Sequence, residues 1–198
     1  MKLEDITLCW RPRKLTVGHV RKLLAQKDEI AKEYLADLIL HRLRDRYVTP
    51  LENVPKRPVD FRSGFLMMAA ASLMIETLQC FKEGKRDTLG KGVGKAVFKR
   101  FFGSYSAQFA GIDGEVFYDK VRCGILHQAQ TKGRIRIRLS GKIYDSAEQS
   151  INASLFLSTL KTVVQDYVSD LRVQDLNSAY WPNALLKIGC ICETIEND

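Results

Sequence analysis

Apolar residues recur along much of this chain at the spacing of helices that bury one face. From Thr16 to about Tyr47, leucine and isoleucine positions follow a helical period, and Thr16 suits the N-cap of such a helix. From about Asp60 to Lys82 the apolar residues extend nearly all round the predicted helix, which indicates a place in the middle of a bundle. Three prolines between positions 50 and 58 predict a linker between these two helices.

The helical pattern continues in the second half of the chain. A short helix rich in phenylalanine is predicted around residues 97–102, and another begins near Asp113, a suitable N-cap. A long helix is predicted from the N-cap Asn152 to about Arg172, and a terminal helix starts near Trp181. These elements predict a helical bundle.

One segment instead changes to the two-residue period of a β-strand. Arginine alternates with apolar residues from Arg134 to Leu139, Ser140-Gly141 suits a turn, and Lys142–Tyr144 would return as a second strand. The predicted hairpin presents four cations that could grip a phosphate backbone: Arg134, Arg136, Arg138 and Lys142. The alternative is an edge strand whose charges only prevent aggregation.

Together these patterns predict an all-α fold: a bundle of four to six helices with a small β-hairpin insertion near residues 134–145. A length of 198 residues suits a single domain with one core. Within it, residues 1–58 form an N-terminal helix and linker, residues 59–172 the core bundle with the hairpin, and residues 173–198 a C-terminal helical cap.

The formal net charge of +8 is concentrated in the middle of the chain. Residues 61–142 carry 15 basic and 6 acidic side chains, whereas residues 143–198 carry 3 basic and 8 acidic ones. Clustered lysine and arginine favour a polyanionic partner, because they displace counterions from phosphates. A solvated basic surface without such a partner is the alternative.

Several classes of protein are disfavoured by the sequence. Five scattered cysteines predict reduced thiols and a cytoplasmic location. Cys190 and Cys192 have no second cysteine or histidine pair nearby, so we expect no metal and no cofactor. The apolar run from Phe65 to Ile75 is too short to span a bilayer, so we expect no membrane partner.

A glycine- and lysine-rich connector over residues 84–95 superficially resembles a phosphate-binding loop. Its glycine spacing differs from that motif, and neither Lys91 nor Lys95 is followed by serine or threonine. It also follows a predicted helix instead of a strand. A basic loop without nucleotide-binding function is the better interpretation.

The strongest candidate chemistry is an Arg-x4-His pair, Arg122 and His127, on the helix that begins near Asp113. An arginine can neutralise a phosphate, and a histidine can move a proton near neutral pH. Gly124 lies between them and costs helix stability, which predicts close approach of another backbone. His19 and His41 lie among ordinary surface charges and are weaker candidates.

Cleavage of RNA by such a pair needs a base for the 2′-hydroxyl and an acid for the leaving 5′-oxygen. Five residues separate Arg122 from His127 by about 140° around a helix, so the two do not share one face. A second copy related by two-fold symmetry would supply a second histidine. Asp119 and Lys120, one turn earlier, are supporting candidates that could orient the arginine or hold phosphate; a helix-surface charge pair is the alternative.

Arg-x4-His on a late helix of a small bundle resembles the HEPN superfamily, whose ribonucleases carry Arg-x4-6-His. The surrounding sequence from Arg122 to Gln128 also looks like a form found in HEPN-like bacterial proteins, and the resemblance covers roughly residues 60–172. Cys123 follows the arginine, where active members frequently have Asn, Asp or His. The resemblance implies a metal-independent endoribonuclease, often dimeric with a composite active site, that acts as a toxin or in antiviral defence.

Three functions therefore stand as hypotheses. The first is a HEPN-type endoribonuclease with RNA as substrate, a homodimeric site, and an antitoxin or effector as a further partner. The second keeps the fold without catalysis, as a module that binds RNA, nucleotide or a partner protein. The third is a helical scaffold that serves oligomerisation alone.

Overall fold

The computed structural model describes residues 2–52 and 63–194, and it is mainly helical, as predicted. Several predicted helices are confirmed within a few residues. The described helices are α1 Val17–Gln26, α2 Glu29–Leu43, α3 Thr49–Glu52, α4 Gly64–Glu83, α5 Val93–Ser104, α6 Gly114–Val116, α7 Cys123–Gln128, α8 Ala153–Val173 and α9 Trp181–Thr194, with a 3₁₀ turn at Leu3–Asp5 and π-helical segments at Arg44–Val48 and Phe117–Arg122. Residues 53–62, which include most of the predicted linker, lie outside the described residues.

Three predicted N-caps are confirmed by side-chain hydrogen bonds. Thr16 accepts from the His19 amide, and Asp113 accepts from the Val116 amide at 2.8 Å. Asn152 accepts from the Leu155 amide at 3.1 Å and also donates to the Gly141 carbonyl at 2.8 Å. Each cap satisfies backbone groups at a helix start that have no intrahelical partner.

The single helix predicted from Thr16 to about Tyr47 is wrong in one respect, because it is broken after Gln26. Lys27 adopts a left-handed conformation with φ of 52°, and its amide donates to the Leu23 carbonyl. Asp28 then caps the next helix by accepting from the Ala31 amide at 2.7 Å. A left-handed residue followed by a capping aspartate ends one helix and starts another without proline or glycine.

Contacts divide the chain into two compact units. The first unit comprises residues 1–46, 80–87 and 163–198, and includes the small antiparallel sheet of β1 Thr7–Cys9 and β2 Leu15–Thr16. Its core contains Trp181, which is fully buried and donates to the Leu171 carbonyl at 2.9 Å.

The second unit comprises residues 47–79 and 88–162 and is built on an aromatic core. Phe117, on the helix of the Arg-x4-His pair, stacks against Phe98 and Phe156 with ring centroids 5.6 and 5.4 Å apart. Six buried phenylalanines form connected ring contacts in this core: Phe98, Phe101, Phe102, Phe109, Phe117 and Phe156. Burial of these large rings fixes the motif helix within its unit.

The predicted β-hairpin is wrong in its strand pairing. Strand β3, Arg136–Arg138, pairs in parallel with β5, Ser150–Asn152, and β4, Tyr144–Asp145, pairs antiparallel with the other edge of β5. All three residues of β5 are buried, so its backbone groups require partners on both sides. The central strand comes from a segment that the alternating pattern did not reveal.

Helix α4 is apolar enough to pass a length-and-composition test for a membrane span, with mean hydropathy 1.5. Over half of its most apolar window, 56%, is buried within the protein, and core helices of folded proteins pass the same test. Met68 and Ile75 are fully buried, but Leu66 is 56% exposed. Nine of the eleven residues from Ala71 to Phe81 are buried, whereas the first turns of the helix are partly exposed. The predicted place in the middle of a bundle stays a prediction.

Replacing the double-role cap, Asn152→Ala, should lower the free energy of unfolding by about 1–2 kcal/mol, because the α8 cap and the bond to Gly141 are both lost. Urea unfolding followed by circular dichroism measures this change. Ser158→Ala is the matched control, since the exposed Ser158 hydroxyl bonds only within the same helix at the Leu155 carbonyl. Equal stability of the Asn152→Ala variant and the unaltered protein would contradict the cap assignment.

Candidate functional site

The helix that carries Arg122 and His127 is built from three consecutive segments in the second unit. Asp113 caps α6, a π-helical segment runs over Phe117–Arg122, and α7 continues from Cys123 to Gln128. The Cys123 amide donates to the Tyr118 carbonyl, five residues back, which is the bond that defines a π-helix. Arg122 is thus the last residue of a wide turn, a geometry frequent at functional sites.

The guanidinium of Arg122 is held by the carboxylate of Glu76 on α4. The distance from Nε to Oε1 is 2.8 Å, and the two side chains are only 20% and 12% exposed. Partial burial lowers the pKa of Arg122, and the hydrogen bond and charge of Glu76 more than offset this, so that pKa lies above its usual value. Arg122 is therefore charged throughout the physiological range.

Glu76 uses both of its oxygens. Oε1 accepts from Arg122, and Oε2 accepts from the Thr88 hydroxyl at 2.7 Å. Thr88 belongs to the glycine-rich connector, so a single carboxylate joins α4, the connector and the motif helix. A buried carboxylate that is both paired and hydrogen-bonded avoids the desolvation cost of an isolated charge.

Tyr118 completes the surroundings of the arginine. The guanidinium carbon of Arg122 lies 5.6 Å from the centre of the Tyr118 ring, within cation–π distance. Burial, followed by the neighbouring Cys123 thiol, raises the pKa of the Tyr118 hydroxyl, which therefore stays protonated at neutral pH. The ring and the carboxylate together restrict where the guanidinium can point.

His127 differs from Arg122 in its surroundings. It is exposed near the end of α7, and within residues 2–52 and 63–194 no side chain forms a hydrogen bond or ion pair with it. Ala129 follows in a left-handed conformation with φ of 53° and ends the helix. The imidazole is accessible to solvent, whereas the arginine is held by a buried carboxylate.

Gly124 lies directly beneath the chain that returns after α7. A Cβ atom there would lie 2.5 Å from the Gln130 carbonyl oxygen and 3.0 Å from the Lys132 nitrogen, closer than real contacts allow. The Lys132 amide also donates to the Lys120 carbonyl at 2.8 Å. The close backbone approach predicted from this glycine is confirmed, and the neighbour is the chain's own return segment, residues 130–132.

The two supporting candidates have separate environments. Asp119 forms an ion pair with Lys95 of α5. The acid that contacts Arg122 is Glu76. The hydrogen bond of Asp119 raises the pKa of Lys95. Lys120 is exposed, and its side chain lies against the backbone of Gly133. Asp119 thus belongs to a surface ion pair between two helices.

The four predicted phosphate-gripping cations are exposed but not equivalent. Arg136 and Arg138 approach the same Glu148 carboxylate at 3.4 and 3.1 Å. For Arg134 and Lys142, the described part of the chain supplies no acidic partner. Glu148 therefore offsets part of the positive charge on β3, a feature that the alternating pattern of arginines conceals.

The remaining histidines lie in the first unit. His19 is exposed on α1, and the His41 Nδ1 atom lies 3.4 Å from a carboxylate oxygen of Asp45, one turn further on. Among the described residues, no group of three or more histidine, cysteine, aspartate or glutamate side chains is arranged to hold a metal ion. The second unit contains His127 as its one histidine.

The fold and site define a mainly helical protein with an arginine anchored by a buried carboxylate. Comparisons with protein-family models, curated proteins and solved structures found no match. The functional assignment therefore depends on the geometry described above.

Sequence reasoning missed the two acids that organise this region. Glu76 is the single acid in the run Phe65–Leu78, and an acid among buried apolar residues signals a buried cationic partner. The identity of that partner, 46 residues away, required the structure. Glu148 carries no comparable signal, because it lies in an exposed polar turn.

Gly124→Ala should strongly destabilise the protein, because the added methyl group collides with backbone atoms that cannot rotate away. We expect a loss of about 1–3 kcal/mol in the free energy of unfolding, measured by urea titration.

Gly103→Ala is the matched control for this change. Gly103 is also helical and in the same unit, but an added Cβ meets nothing within 4 Å. Alanine is the better helix former there by about 1 kcal/mol, so this control should be neutral or stabilising. A Gly124→Ala variant as stable as the control would show that the return segment does not lie on the helix.

Proposed function

We propose that this protein is a metal-independent endoribonuclease of HEPN type, with Arg122 and His127 as its catalytic pair. The observation that carries the proposal is the contrast within the pair: a charged arginine anchored by Glu76, and an exposed histidine five residues later on the same helix. By resemblance, we assign it a cytoplasmic toxin or defence role, with an antitoxin or effector as a further partner.

The anchoring of Arg122 suits it to stabilise a phosphorane. Glu76 accepts from the Nε–H, so contact with phosphate oxygens would fall to the terminal Nη groups. A guanidinium fixed in advance needs no reorganisation when negative charge develops in the transition state. The conformational entropy of this long side chain is lost during folding, so it is not lost again when a phosphate binds.

His127 would transfer the protons. Histidine is the side chain most often used as a general acid or base, and such catalysis by a positioned side chain contributes about 10²–10⁴-fold to a rate. The 2′-hydroxyl would lose its proton and attack the adjacent phosphorus, while the leaving 5′-oxygen gains a proton. The products would be a 2′,3′-cyclic phosphate and a free 5′-hydroxyl.

The 2′-hydroxyl that loses a proton and the 5′-oxygen that gains one lie on opposite sides of the phosphorus. A single histidine cannot easily serve both atoms. Residues 123–128 are α-helical, so the side chain of His127 projects well away from that of Arg122 around the axis. We therefore propose a homodimer in which two copies of this helix contribute one composite site. Two-fold symmetry would then supply a base from one chain and an acid from the other.

A second candidate function is a non-catalytic module of the same fold that binds RNA, nucleotide or a partner protein. The observation in its favour is that Arg122 already has a carboxylate partner, which makes a structural ion pair sufficient to explain it. Cys123 in the position after the arginine also departs from the pattern of active HEPN ribonucleases.

His127→Ala should abolish RNA cleavage while leaving folding unchanged, because the exposed imidazole makes no contact that the fold needs. The assay follows cleavage of mixed-sequence RNA by purified full-length protein in EDTA, and we expect a rate loss of at least about 10²-fold. His19→Ala, which removes an exposed histidine from the first unit, should cleave at the unaltered rate. RNA binding without cleavage by the unaltered protein would favour the second candidate instead.

Glu76→Gln tests whether the carboxylate positions Arg122. It preserves side-chain shape and the acceptor for Thr88, but the Arg122 guanidinium loses its counter-charge. We expect kcat to fall about tenfold or more with little change in KM, and the free energy of unfolding to fall by about 1–3 kcal/mol.

Glu115→Gln is the control for this variant, since it removes an exposed ion pair, with Lys99, from the same unit. That pair should contribute at most about 1 kcal/mol to stability and nothing to the rate. A Glu76→Gln protein that is less stable yet keeps its kcat would assign Glu76 a structural role only.

A further inference from the structure

The cations of the second unit divide into paired and unpaired groups. Those paired with acids in the described structure are Lys95, Lys99, Arg122, Arg136, Arg138 and Lys161. Within that same description, three cations near the motif helix have no acidic partner: Lys120, Lys132 and Arg134. Lys142, which also has no acidic partner among the described residues, lies beyond β3 in sequence. The unpaired charges nearest the motif helix in sequence are therefore those of Lys120 and of residues 132–134.

The chain reversal after α7 brings the backbone of Lys132 and Gly133, the two residues before Arg134, beside Lys120. The Lys132 amide donates to the Lys120 carbonyl at 2.8 Å, which fixes the return segment beside the π-helical turn. The Lys120 Nζ atom lies 3.7 Å from the position that a Cβ on Gly133 would occupy. Its ammonium group thus lies near Gly133, the residue between Lys132 and Arg134.

Gly133 leaves this surface open. It has φ of +70°, a left-handed conformation that favours glycine, and it presents no side chain between the flanking cations. Three like charges with no intervening acid repel one another, and a bound anion removes that repulsion. The turn therefore suits a ligand whose negative charge is compact and accessible from solvent, as a phosphate is.

The location relates this turn to the catalytic pair. Residues 130–132 lie on Gly124, midway between Arg122 and His127, and Lys120 is two residues before the arginine. A phosphate held at the turn would belong to the same strand as one reaching His127. The guanidinium groups on β3 are weaker candidates, because Glu148 accepts from both Arg136 and Arg138.

We propose that Lys120, Lys132 and Arg134 form a phosphate-binding subsite for single-stranded RNA, which holds a backbone phosphate next to the one that is cleaved. The subsite rests on the proposed ribonuclease function for its role in catalysis, but its binding of RNA is separable from cleavage. In this proposal the main phosphate contact lies at the chain reversal after α7, and the arginines of β3 contribute less to RNA binding.

The test compares two double variants that each remove two positive charges. Lys120→Gln/Arg134→Gln removes unpaired cations of the subsite, and Arg136→Gln/Arg138→Gln removes cations paired with Glu148. The probe is a fluorescent 2′-O-methyl RNA oligonucleotide, which has no nucleophile and cannot be cleaved. Its binding to the full-length proteins is measured by anisotropy across a series of salt concentrations.

We expect the subsite variant to bind about tenfold or more weakly, since two charged hydrogen bonds are lost. Its plot of log affinity against log salt should be shallower by about 0.7 for each lost phosphate contact. The β3 variant should change affinity less than threefold. Equal loss in both variants, or a larger loss in the β3 variant, would overturn the subsite.

Cleavage of ordinary RNA by the same proteins separates this proposal from the proposed function. Binding that depends on the subsite, in a protein that does not cleave RNA, would support the subsite and contradict the ribonuclease. Cleavage and binding that are both unchanged in the subsite variant would contradict the subsite and leave the ribonuclease intact. A raised KM with nearly constant kcat in that variant would support both.

Discussion

The ion pair between Glu76 and Arg122 is the interaction on which the organisation of the candidate site depends. A carboxylate inside an apolar helix must be neutralised where it lies, and here the guanidinium of Arg122 and the hydroxyl of Thr88 do so. These contacts fix the motif helix against α4 and fix the arginine within the motif. A residue that would stabilise an anionic transition state is thus held in place by the folding of its own unit.

The parts of the fold that were predicted correctly depend on local interactions. Helical periodicity and the caps Thr16, Asp113 and Asn152 involve residues within one turn of each other, so the sequence contains their full physical cause. The break after Gln26 and the central place of β5 were not predictable in the same way. The break depends on the left-handed backbone of Lys27, and the place of β5 depends on pairing between distant segments. Neither is indicated by the periodic pattern of apolar residues.

The candidate site shows the same division. Gly124 indicated a close backbone approach, because a glycine inside a helix lowers helix stability and suits a place where no larger side chain fits. The return segment, residues 130–132, occupies that place. The π-helical turn that ends at Arg122 has no sequence signature of this kind. The alternating pattern groups Arg136 and Arg138 together but does not indicate their shared partner Glu148. That pairing is visible only in the three-dimensional structure. Side-chain partners distant in sequence are set by packing, and packing sets the electrostatics of the site.

We propose that the anchored Arg122 and the exposed His127 cleave RNA through attack by the 2′-hydroxyl. The most direct measurement is mass spectrometry of the ends produced when purified protein acts on RNA in excess EDTA. We expect 2′,3′-cyclic phosphate and 5′-hydroxyl ends, and complete resistance of 2′-O-methyl RNA. Ends with a 5′-phosphate and 3′-hydroxyl, or cleavage of the methylated RNA, would contradict it, because neither can arise from that attack.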